Sequence, residues 1–161
     1  MKQSLTFLYS GMLISISMFV DATNTLASPS QSLTVCAEIA VGELIDKITI
    51  LQIKARHITD EKKLVNIHTE LATLCATLHA NIPESQALTA LTDQLRTINL
   101  KLWDAEDAIR MKEHRQEFDA EFIQLAHSIY LTNDARCALK RQINELMGSH
   151  IVEEKSYSLP G

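Results

Sequence analysis

The sequence holds 161 residues, 46% of them hydrophobic and 22% charged, which gives room for one domain and enough apolar side chain for a folded core. Its formal net charge of -5 leaves no surplus of lysine and arginine for a phosphate-tracking surface, and 5% aromatic residues supply few stacking platforms, so nucleic-acid binding is not expected. Between Gly42 and Gly148 the only glycine or proline is Pro83, and a span so poor in turn residues excludes strand-rich folds.

In chain order, Lys2 precedes a mostly apolar run from Leu5 to Val20, followed by small residues at Thr25 to Ala27. This is the layout of an export signal. The run is about 16 residues long, short for a bilayer core that asks for about 20. Residues 1–27 are therefore expected to be a cleaved signal peptide, with a periplasmic or secreted product and no stable membrane span after cleavage. The alternative is a cytoplasmic protein with an apolar leader. Cys36, Cys75 and Cys137 are odd in number and lack metal-type spacing, whereas exported proteins usually carry paired cysteines. Buried thiols acting as small apolar residues are expected, with a Cys75–Cys137 bridge as the other option.

Residues 28–41 read as a linker or short extended lead-in, with some strand character in Thr34, Val35 and Ile39. From Gly42 the pattern turns helical. Leu44, Ile48, Leu51, Ala55 and Ile58 predict helix one over about 42–58, with Glu43 and Asp46 early and Lys54 and Arg56 late complementing its dipole. Thr59 and Asp60 can cap helix two, about 60–81, whose stripe is Leu64, Ile67, Leu71, Leu74 and Leu78 and which Pro83 stops. In helix three, about 84–115, Leu88, Leu91, Leu95, Ile98, Leu102, Ala105 and Ile109 keep a seven-residue alternation of the coiled-coil kind. At about 1.5 Å per residue this helix approaches 50 Å, so it must pair lengthwise with another. Helix four, about 120–147, follows Asp119 and ends at Gly148, with Phe122, Leu125, Ile129, Leu139, Ile143 and Leu146 on one face. The expected fold is all-α: an antiparallel bundle of about four helices over 42–148, with a long hairpin of helices three and four, a shorter hairpin of helices one and two against it, and a tail over 149–161.

Chemistry-bearing patterns are few. The six histidines form no metal-binding pair, and neither a phosphate loop, a nucleophile elbow nor a Cys-x-x-Cys pair occurs, so no metal, cofactor or standard catalytic motif is expected. A polar stripe does run beside the helix-three seam through Asn99, Trp103, Glu106, Arg110 and Glu113, with Asp107 adjacent. Helix four carries another in Tyr130, Asn133, Cys137, Lys140 and Asn144, and Arg136 interrupts its apolar series. In an antiparallel pair the two can meet. Trp103, Glu106, Asp107, Arg110, Asn133, Arg136, Lys140 and Asn144 are the candidate cluster, in which buried charges would have to pair with one another or with a ligand.

The runs GELIDKITILQIK (42–54), LWDAEDAIR (102–110), FDAEFIQLAHSIYLTNDARCALKRQIN (118–144) and GSHIVEEKSY (148–157) resemble a bacterial family catalogued as a domain of unknown function. The likeness covers about residues 34–157. It implies a small helical protein and carries no activity, substrate or cofactor with it. Members of that family begin near the position of Leu33 and look cytosolic, which sets the leader here apart. The resemblance also singles out Glu153, Glu154, Lys155 and Tyr157, where composition alone reads a frayed end; a tail docked onto Arg136 or Arg141 is the ordered alternative. Two functions follow as expectations. One is a helical interaction or scaffold module with a protein partner or a second copy of itself. The alternative is a small-molecule protein or enzyme in which Arg110, Arg136 and Lys140 hold an anion and Glu106 serves as acid or base.

Overall fold

Four helices form where the apolar stripes place them, and their ends leave loose backbone donors and acceptors that need partners. In a computed structural model of the chain, α1 spans Val41–His57, α2 Glu61–Asn81, α3 Gln86–His114 and α4 Ala120–Met147. Three of the starts are capped by the preceding side chain. Asp60 accepts from the backbone N–H groups of Lys62 and Lys63 at 2.9 and 3.1 Å, Ser85 from Leu88 at 3.1 Å, and Asp119 from Phe122 at 3.0 Å. The start of α1 differs, since Ala40 precedes it and has no polar side chain to offer. Gly148, at φ 64°, ends α4 in the left-handed conformation that glycine adopts without strain.

The described residues are 33–154, together with Leu8–Tyr9 and Met12–Leu13, which pair as two antiparallel dipeptide strands, β1 and β2, with Leu8 opposite Leu13. The rest of the expected signal segment, and Lys155 and Tyr157 at the other end, lie outside them. The chain divides into Met1–Cys36 and Ala37–Gly161, and the second unit holds all four helices. Its lead-in up to Ala40 is neither helix nor strand.

Within that unit α3 and α4 make the closest pairing, a long antiparallel hairpin, and α1 lies against both of them. The backbone of α2 approaches α1 alone among the described residues, tied to it by the Lys47–Glu70 ion pair at 2.6 Å. The core is therefore concentrated where three helices meet. Ile45, Leu88, Leu95, Leu139 and Ile143 form it, flanked by Val41, Leu78, Ile82, Leu91, Ile98 and Met147. Past the end of α1 the hairpin continues as a two-helix arm, and no residue from Trp103 to Ala138 is buried. Ile109, Leu125 and Ile129 are half-buried there, as expected for a seam that two helices close without a third.

The cysteines depart from expectation. Cys36 is exposed, Cys75 and Cys137 are half-buried, and no disulfide links them; the backbones of α2 and α4, which carry the last two, do not approach each other. No described helix is long and apolar enough to cross a membrane.

Candidate functional site

The bare start of α1 is the first element of a polar seam along α4. The Gly42 N–H donates to Asn144 Oδ1 at 2.7 Å, so α4 supplies the cap that Ala40 cannot. A Cβ at position 42 would lie 2.6 Å from the Lys140 carbonyl oxygen and 2.9 Å from Asn144 Oδ1. Only glycine permits this approach of the two helices.

One residue further along α1, the Glu43 carboxylate pairs with the Lys140 ammonium, which Glu153 also meets at 3.0 Å. Lys140 is buried. Burial alone would push its ammonium down, but the two carboxylates outweigh that and hold its pKa above the ordinary 10.5. The charge is thus compensated from within the chain.

The third element is the most deeply enclosed. Asp46, Thr49 and Asn99 are 5%, 0% and 4% exposed. Asn99 Nδ2 donates to Asp46 Oδ1 at 2.7 Å and to Thr49 Oγ1 at 2.9 Å, while the Thr49 hydroxyl donates to the Asp46 carbonyl at 2.8 Å. Arg136 Nε stands 4.0 Å from Asp46 Oδ2. Asn99 Oδ1 and Arg136 Nε are buried without a hydrogen-bond partner among the described residues. A carboxylate held by an amide and faced by a guanidinium joins α1, α3 and α4 at one point.

The predicted cluster is therefore divided. Arg136, Lys140 and Asn144 lie in this seam, but their partners come from α1 rather than from the outer half of α3. Glu106 and Arg110 form an exposed pair with each other at 3.2 Å, and Asp107 is exposed. The ion network expected to unite these three with Arg136 and Lys140 does not form, because the register carries them past the last turn of α1 onto the arm. Trp103 is half-buried and packs its ring 5.5 Å from that of His57. Asn133 donates to the Ile129 carbonyl at 3.1 Å, a bond within its own helix.

The tail does return to α4. Beyond Gly148 the Ser149 N–H donates to the Asn144 carbonyl at 2.9 Å, Glu153 reaches Lys140, and Glu154 reaches Arg141 at 3.0 Å. Between this segment and the helix lies a cleft of about 620 Å³, within the range of ligand sites. Arg136, one of the two expected partners of the tail, faces Asp46 instead.

A family model described as a family of unknown function, DUF6165, matches residues 35–161. The chain belongs to that family. No curated protein and no solved structure matches it. The matched region takes in all four helices and the returning tail, so both the seam and the cleft lie inside it.

Sequence reasoning places Glu43 and Asp46 only as acidic groups complementing the start of α1 and gives Thr49 no role, so it misses their place in the seam. A signal was there: Asp46 and Thr49 sit one turn apart, the first directly after Ile45 and the second directly after Ile48, polar side chains among apolar ones. Such residues need buried partners, and Asn99, polar beside the α3 seam, was the available one.

Proposed function

We propose that this protein is a helical interaction module whose working surface is the arm formed by the outer halves of α3 and α4. The observation that carries this is the combination of no buried residue between Trp103 and Ala138 with five large apolar side chains exposed there, Met111, Phe118, Ile123, Tyr130 and Leu131. Exposed apolar groups gathered on one part of a molecule mark association surfaces. The outer face of α2 offers a contrast. Its Thr69, Thr73 and Thr77 hydroxyls each bond back to a carbonyl four residues earlier, so that face is polar and internally satisfied from Thr69 onward, with Val65 the one large apolar side chain exposed at its start.

Geometry argues against the anion-binding reading. Arg110, Arg136 and Lys140 do not converge: the first is paired with Glu106 at the surface, the second faces Asp46, and the third is held by Glu43 and Glu153. An anion would have to compete with carboxylates of the chain itself at all three. A thermal-shift screen of the full chain against anionic metabolites tests the choice. No stabilisation is expected. A metabolite that raises the midpoint by several degrees, and ceases to do so in Arg136→Leu, would overturn the interaction reading in favour of a ligand site.

A further inference from the structure

The cleft beside α4 is closed by the chain's own tail, and the manner of closure shows what chemistry it accepts. Lys140 and Arg141 are neighbours on a helix, so their side chains diverge by about 100°. Glu153 and Glu154 are neighbours in a segment that is neither helix nor strand, and their carboxylates separate to meet them one to one, each at 3.0 Å. Asp134, Cys137, Asn144, Glu145 and Val152 are among the other residues of the wall. Two features make this closure reversible. Lys140 keeps the Glu43 carboxylate if Glu153 leaves, so no buried charge is stranded. The Arg141–Glu154 pair is largely exposed, at 52% and 79%, and exposed pairs hold weakly.

We propose that Lys140 and Arg141 form a docking site for an extended acidic segment of a partner protein, two consecutive carboxylates in an open backbone, and that the Glu153–Glu154 strap occupies the site until such a segment competes. Charge complementarity and the seated tail both identify this occupant: the strap is the ligand in cis. Its own copy is favoured by proximity, because a tethered group acts at an effective concentration in the millimolar range. The cleft borders the arm at Asp134 and Cys137, but its basic pair lies beyond the arm and the proposal does not depend on the role assigned there.

The test uses the full chain and a labelled peptide of residues 149–161, followed by fluorescence anisotropy. Glu153→Gln with Glu154→Gln unlatches the strap without touching α4, and the peptide should bind this variant about ten-fold more tightly than it binds the wild type. Binding should weaken with added salt and be lost when Arg141→Glu, an exposed change that spares the buried Lys140, is added. Equal affinity for wild type and unlatched variant would overturn the proposal. So would absence of binding to an unlatched variant whose helical circular dichroism is unchanged, or binding indifferent to Arg141→Glu. A wild-type mass of two chains by light scattering, falling to one in the unlatched variant, would assign the site to the tail of a second copy and overturn the partner reading.

Discussion

Gly42 illustrates how a single hydrogen atom in place of a methyl group sets the spacing of two helices. In Gly42→Ala the better helix propensity of alanine would contribute about 0.5–1 kcal/mol. The added Cβ, 2.6 Å from a backbone carbonyl oxygen, must push α1 off α4, and overpacking of this kind costs about 1–3 kcal/mol. The clash should win because a helix backbone cannot turn aside as a side chain can. Urea denaturation is expected to show a net loss of stability, and a gain would mean that α1 does not sit this close. Asn99 is the second decisive residue. Asn99→Leu keeps the volume and removes both donors to Asp46 and Thr49, leaving a buried carboxylate faced only by Arg136 at 4.0 Å. A loss of about 2–4 kcal/mol is expected by the same measurement. A change under 0.5 kcal/mol would mean that water reaches Asp46.

At the turn between α3 and α4, Lys112 sits among Glu121 at 2.7 Å, Asp119 at 3.0 Å and Glu117 at 3.8 Å. The Phe122 N–H first, and Lys112 second, hold the Asp119 carboxyl below its ordinary 3.8. Stability from a depressed carboxyl is fully present above the ordinary value and is lost as pH falls through the lower folded one. Asp119→Ala should therefore lower the thermal midpoint at neutral pH by about 2–4 °C, with the difference from wild type vanishing in strong acid; a difference that persists there would assign the effect to something other than ionisation. Lys140 runs the other way. Its pKa is raised, so its contribution is complete below 10.5 and is lost as pH rises through the higher folded value. Lys140→Met should flatten the alkaline limb of the stability profile. The elements were legible in the sequence because their signals are local. Asp60, Pro83, Asp119 and Gly148 act on backbone within a few residues, so the four helices begin and end within about two residues of where those signals put them. The register of α3 against α4 was legible as a hairpin for the same reason, since the connection is short.

Contacts between distant elements were less readable. Nothing in the spacing of α1 says that it, rather than a partner, fills the groove between Lys140 and Asn99, because an apolar stripe packs equally well on several surfaces. Glu106 and Arg110 read as site residues by periodicity alone, yet the length of α1 decides which part of a polar stripe is covered, and α1 ends at His57, whose ring meets Trp103 of α3. That difference in length divides the bundle into a three-helix base and an uncovered arm, and the assignment of the arm as the association surface is the central claim. The measurement that tests it most directly is photo-crosslinking of the full chain in cells, with a photoreactive side chain placed at Ile123 or Leu131 on the arm, or at Thr73 on the outer face of α2. Discrete protein adducts are expected from both arm positions and none from position 73, and Tyr130→Glu should abolish those at the arm while leaving helical content unchanged. Equal labelling from all three positions, or adducts from position 73 alone, would contradict the assignment.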